Sequence, residues 1–294
     1  MDGRMNAPAR LYADHDRWPL GLMIVCGYEQ HALPIQLEIV HRLQATHVEF
    51  YPRWQTAPNP ETVGQHVRDA GLQVWSAHGP WGNETWSDDR VDLGSPDSAM
   101  RRNSVRDVRR SIEWLADAGG RCLVAHPGVL SDATDFDRRR AALIQSLRDL
   151  APSAADRNIW LCVENLPRGC FPGSFTADNA AIVRELAESR VGLCLDTGHA
   201  NIMADVASEV RAAAGLLRTT HVHDNDGQRD SHLLPGLGTV RWQDFSAALA
   251  EIAYDGVIML ECPRFLRENQ HLINDDLSGN LGMLCRKPTA SLRS

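Results

Sequence analysis

The 294-residue sequence lacks long apolar runs, paired-cysteine motifs, a glycine-rich nucleotide fingerprint and any excess of basic residues. No apolar stretch approaches the roughly 20 residues of a membrane-spanning helix, so no membrane partner is expected. Residues 1–18 are polar and mixed in charge, with no apolar h-region. No signal peptide is therefore expected, and the cytoplasm is the default compartment. The formal net charge is −8. Such a surface repels polyanions at long range, so nucleic acid is not an expected partner. The seven cysteines, Cys26, Cys122, Cys162, Cys170, Cys194, Cys262 and Cys285, form no Cys-x-x-Cys pair. An odd count placed mostly in or beside apolar runs reads as reduced, buried thiols in a reducing compartment. With 43% hydrophobic residues, a chain this long buries a sizeable core without disulfide staples.

What the sequence does have is a recurring unit: a short, β-branched apolar run ending in a polar residue, a loop with Gly, Pro or Asn, then a longer helical stretch. Eight runs fit, at residues 20–26, 46–50, 73–77, 122–125, 159–163, 191–195, 219–222 and 257–260. Continuous apolar character is what a parallel sheet covered on both faces requires. Helical periodicity marks residues 98–118, with Val105, Val108, Ile112 and Leu115 on one face, and also 136–150 and 177–189. Eight strand–helix units with no dinucleotide fingerprint after the first strand predict a single closed (β/α)8 TIM barrel rather than a doubly wound sheet. The expected organisation is an N-terminal extension (1–19), the barrel (20–274) and a polar C-terminal tail (275–294).

The strand ends carry the chemistry. The second run ends on Glu49, the third on His78, the fourth on His126, the fifth on Glu164 and the sixth on Asp196 with His199 close behind. The seventh runs through His221, His223 and Asp224, and the eighth ends on Glu261. One such residue at a strand end is more often a satisfied structural group. Seven successive ends in a chain with 12 His and 38 Asp plus Glu point to one mouth, where such barrels place their active sites. Mixed imidazole and carboxylate ligands without thiolates suit Zn, Mn, Co or Fe(II). Carboxylates held together repel unless protons or a cation compensate. After the seventh strand, Asp230 and His232 stand two residues apart, so on extended chain both side chains share a face.

Four segments carry a resemblance to the xylose-isomerase-like barrel superfamily, which includes sugar phosphate isomerases and epimerases and the endonuclease IV family of apurinic endonucleases. They are Val163-Glu164-Asn165-Leu166-Pro167, Cys194-Leu195-Asp196-Thr197-Gly198-His199-Ala200, His221-Val222-His223-Asp224-Asn225 and Leu260-Glu261. The resemblance implies a central metal quartet of Glu164, Asp196, His221 and Glu261. It also puts the extra ligands of trinuclear zinc members on His78, His126, His199, Asp230 and His232. One divalent ion (Zn, Mn, Co, Fe or Mg) is expected in the quartet, and up to three across the full set. The endonucleases carry Cys where Gly198 stands and Arg where Ser231 stands. The Asp-Thr-Gly-His-Ala and Glu-Asn-Leu-Pro forms look more like the isomerases.

The resemblance thus implies an isomerase or epimerase of a small sugar, polyol or hydroxy-ketone working through an enediolate. Glu164 and Glu261 would exchange the α-proton, while His223 and His199 shuttle the hydroxyl proton. The alternatives are a multinuclear zinc phosphodiesterase, a keto-polyol dehydratase, or a barrel that has lost catalysis and serves as a binding protein. Glu49, Trp54, Trp81, Arg53 and Arg264 are the expected substrate contacts, with Trp86 read as core or lid packing. The expected partners are a small-molecule substrate and further copies of the chain.

Overall fold

The apolar runs become eight strands: β1 (Leu20–Cys26), β2 (His47–Pro52), β3 (Gln73–His78), β4 (Cys122–Ala125), β5 (Trp160–Glu164), β6 (Val191–Asp196), β7 (Leu217–His221) and β8 (Ile258–Leu260). The computed structural model describes residues 16–28, 31–87 and 89–288. From β1 to β7 each strand pairs in parallel with the next, and β8 pairs with β1. The ring closes between β7 and β8, where Val222 N donates to Met259 O at 2.7 Å and Glu261 N donates to Val222 O at 3.0 Å. This is the (β/α)8 TIM barrel that the strand–helix alternation predicts.

Helices fall where the periodicity puts them, and their ends have local causes. The helix Ser98–Ala118 starts because the Asp97 carboxylate accepts from Ala99 N and Met100 N, satisfying two donors of the first turn. It ends at Gly119, whose φ of 90° suits a residue without a side chain. The next helix, Phe136–Asp156, runs six residues past the expected end, through Pro152. Thr176–Leu186 stops short of residue 189 because Ala187 turns left-handed at φ 54°.

Strand alternation sorts the side chains into two cores. Leu123, Leu161, Val163, Leu193 and Leu195 pack with helix residues such as Val108, Ile112 and Leu115 in the main core. Cys122, Val124, Cys162 and Cys194 form a separate cluster with Trp75 and Trp160. The second set marks the barrel interior, and its row continues upward two residues at a time. Val124 leads to His126, Cys162 to Glu164 and Cys194 to Asp196. The inward row is apolar at its base and ligand-bearing at its top.

Residues 275–288, read from sequence as a polar tail, include the helix Asp275–Leu284, with Leu281, Leu284 and Cys285 buried. The segment is tied down at both ends. Trp18 N donates to Cys285 O at 2.8 Å, Lys287 N donates to Asp16 O at 2.8 Å, and Ser278 Oγ donates to Arg42 O at 2.8 Å. The expected N-terminal extension lies, up to residue 15, outside the described residues. No helix among the described residues is long and apolar enough to cross a membrane.

Candidate metal centre

The strand tops are held in place by side chains that bond to backbone. Asn165, directly after Glu164, extends the β5–β6 ladder with its amide. Its Nδ2 donates to Asp196 O at 2.9 Å and its Oδ1 accepts from Asp196 N at 2.7 Å. Asp196 then caps the helix Thr197–Met203 by accepting from His199 N at 2.7 Å. His199 Nδ1 donates to Asn165 O at 2.8 Å, which fixes the ring and turns Nε2 to Asp230 Oδ2, 3.2 Å away. After β7, the buried Asp224 accepts from Asn225 N, Gly236 N, Val240 N and Trp242 Nε1 at 2.9–3.1 Å. That clamp closes the loop that carries Asp230 and His232. His232 Nδ1 in turn donates to Glu261 O at 2.8 Å.

Glu164, Asp196, His221 and Glu261 meet at the centre, each offering a ligand atom within 4.8 Å of the others, and all four are buried. His221 Nδ1 lies 3.0 Å from both Glu164 Oε1 and Glu261 Oε2. His126 Nε2 and His78 Nε2 stand 3.2 and 3.7 Å from Glu164 Oε2, making a second candidate group. Asp230 Oδ2 sits 3.2 Å from the Nε2 atoms of both His199 and His232. The structure thus brings all nine expected ligand positions into one mouth.

The donor set can be tested against a divalent cation. Three carboxylates and an imidazole are withdrawn from water, and Glu164 Oε2 and Glu261 Oε2 have close histidine nitrogens, His126 Nε2 at 3.2 Å and His221 Nδ1 at 3.0 Å, but no aligned hydrogen bond. Buried carboxylate oxygens without an aligned donor are costly, and a cation bound by oxygen and imidazole nitrogen removes that cost. The residues fit. Around them, charge is balanced by histidines. Burial alone would raise Asp196, but the His199 and His223 charges hold it down at about 2. Burial works against a charged His199, yet Asp196 and Asp230 push it up to about 10. His232 likewise rises to about 10 against its burial, through Asp230 and Glu261. Burial, with His126 beside it, presses His78 down to about 4.

The remaining expected residues divide. His223 is fully buried, with Nε2 3.0 Å from Asp196 Oδ2, Nδ1 unpartnered and its ring stacked 3.9 Å from His232. Trp81 reaches the mouth, its ring centroid 5.0 Å from that of His126. Glu49 does not face substrate. It has no exposed surface, and its oxygens are taken by His221 Nε2 at 2.7 Å and by the Ser76 hydroxyl. Trp54 is a core residue, 2% exposed and packed on Trp86 and Trp114. Arg264 lies out on the surface, paired with Glu268 at 2.9 Å. Arg53 is exposed over the Tyr28 ring, 5.9 Å from its centroid. Asn165 and Asp224 stand in the strand-end segments without a role assigned from the sequence, and Ser76 is not singled out by it. Asn165, adjacent to Glu164, and Asp224, adjacent to His223, carry a positional signal.

A family model described as the xylose isomerase-like TIM barrel matches residues 37–278. An uncharacterized protein, MJ1311 of Methanocaldococcus jannaschii, is 28% identical over 178 residues, which is 58% of this chain and 60% of that protein. The chain therefore spans less than two thirds of that relative. D-psicose 3-epimerase of Agrobacterium fabrum is 26% identical over 225 residues, 74% of this chain and 72% of the enzyme. The solved 3-keto-D-glucoside 4-epimerase from E. coli superposes with a TM-score of 0.73 at 20% identity, over 91% of this chain and 99% of the other. At that identity the superposition establishes a shared fold.

Proposed function

The chain belongs to the xylose isomerase-like TIM-barrel family, and we propose that within it the protein is a divalent-metal-dependent epimerase or isomerase of a small sugar, polyol or hydroxy-ketone. The observation that carries this is the disposition of Glu164 and Glu261. They come from strand tops on different sides of the mouth, and each has an oxygen 3.0 Å from the same nitrogen, His221 Nδ1. Two carboxylates converging on one point can serve a carbon from two sides.

Glu164, Asp196, His221 and Glu261 would hold the ion, which when bound polarises a substrate carbonyl and its neighbouring hydroxyl. One glutamate then takes the α-proton. The C–H pair becomes the C=C bond of the enediolate, and the other glutamate returns a proton to the opposite face. His223 Nδ1, unpartnered in the mouth, is placed to carry the hydroxyl proton. Trp81 closes one side against water. The curated D-psicose 3-epimerase relative supports a ketose as the first substrate class to try.

The test is solvent exchange. The metal-loaded protein, incubated with ketohexoses in deuterium oxide, should place one deuterium at the inverted carbon. Glu164→Gln and Glu261→Gln should each abolish it. Turnover persisting in both variants would overturn the two-glutamate reading.

A second reading is favoured by one observation, the complete outer set of His78, His126, His199, Asp230 and His232 around the quartet. It is a multinuclear zinc hydrolase of a small phosphoester. Two or three zinc ions per chain with phosphoester hydrolysis would select it.

A further inference from the structure

A buried carboxylate that touches no substrate needs a reason to be there, and Glu49 lies directly under the proposed metal quartet. We infer that Glu49 is a positioning residue for that quartet: it fixes the ring of His221 so that Nδ1, and not Nε2, faces Glu164, Asp196 and Glu261. The inference rests on reading the quartet as a metal site.

The geometry is specific. Glu49 sits on β2 and His221 at the end of β7, strands separated in the ring by β1 and β8, so the contact crosses the barrel interior. Neither residue has exposed surface. Glu49 Oε1 lies 2.7 Å from His221 Nε2. Its other oxygen accepts the hydroxyl of Ser76, so the carboxylate is filled on both sides and cannot turn toward the mouth. A carboxylate at that distance accepts a proton from the ring, so Nε2 is the N–H nitrogen. The ring is then oriented with Nδ1 3.0 Å from Glu164 Oε1 and 3.0 Å from Glu261 Oε2. The His78 ring, nearly parallel at 17° with centroids 5.7 Å apart, flanks it on one face. A carboxylate on the far nitrogen also makes the near nitrogen a better donor to a cation. Without Glu49, the buried Nε2–H would lose this acceptor, and a ring flip would become open to it.

The decisive experiment compares wild type, Glu49→Gln, Glu49→Leu and Ser76→Ala by chelator-competition titration with Mn2+ and Zn2+. Thermal unfolding of the metal-free proteins is measured in parallel. Loss of an orienting partner weakens metal binding by roughly 10- to 100-fold. Glu49→Leu is expected in that range, Glu49→Gln below it because the amide oxygen still accepts from Nε2–H, and Ser76→Ala least. The metal-free melting temperature of Glu49→Gln should fall less than that of Glu49→Leu, since the amide oxygen still accepts from Nε2–H. If Glu49→Leu fails to fold, the near-isosteric Glu49→Gln carries the test, with a loss of affinity expected and wild-type affinity overturning it. Equal metal affinity in all variants, with only melting temperatures lowered, would show a merely structural contact and overturn the positioning role alone. A wild type that takes up neither ion would overturn the metal-site reading itself.

Discussion

The ring of His223 occupies the space that a side chain at position 198 would need. A Cβ built on Gly198 would lie 2.0 Å from His223 Cε1 and 2.5 Å from Nδ1, closer than any two such atoms approach. The endonuclease branch of the resemblance carries Cys at this position, so Gly198 and a buried His223 belong together in this chain.

Gly198→Ala should therefore drive His223 away from Asp196 Oδ2, now 3.0 Å from its Nε2. Overpacking of this kind costs about 1–3 kcal/mol. Thermal unfolding should show the loss of stability, and turnover should fall by an order of magnitude or more. Unchanged stability and turnover would mean that His223 has room to move without consequence.

Metal removal should destabilise the fold. The quartet gathers its ligands from β5, β6, β7 and the end of β8, so an ion bound there ties together half of the barrel mouth. An ion at 100 times its Kd stabilises by about 2.7 kcal/mol, which for a chain of this size is roughly 5 °C or more in Tm. Scanning calorimetry with and without EDTA should show the drop, and a divalent ion added back should reverse it. An EDTA scan that superimposes on the untreated one would argue against a resident ion.

His47, at the opposite end of β2 from the mouth, predicts a pH dependence of stability. Burial, and then the charge of Arg121, lowers it from 6.5 to about 4. The folded state thus binds this proton less readily than the unfolded chain does. Its contribution is fully present above pH 6.5 and is lost as the pH falls from 6.5 toward 4. The slope from one proton is at most about 1.4 kcal/mol per pH unit. Urea unfolding of wild type and His47→Gln across pH 4–7 should show a shallower decline in the variant. Parallel curves would remove His47 from the acid sensitivity.

Much of the site was legible because a parallel barrel strand is short and its end is marked. Glu164, Asp196, His221 and Glu261 each close an apolar run, and the barrel brings those ends together. What the runs do not encode is depth and sideways packing. Glu49 closes no strand, since β2 continues to Pro52, and it therefore lies below His221 rather than beside substrate. Trp54 follows the strand, yet a three-residue 3-10 turn sends it into the helices, against Trp86 and Trp114. Arg264 follows Glu261 by three residues, but the helix Pro263–Glu268 carries it outward to Glu268. Asn165 and Asp224 act by bonding to backbone far along the chain, which no local pattern announces. The tail helix is similarly hidden, because its few buried residues, Leu281, Leu284 and Cys285, become a face only against the rest of the barrel.

The metal content of the protein, purified without added metal or chelator and measured by elemental mass spectrometry, tests the central claim most directly. Close to one Mn, Co, Fe or Zn per chain is expected, falling to near zero in Asp196→Asn with the fold retained. No bound metal, and none taken up when each of these ions is titrated in, would contradict it.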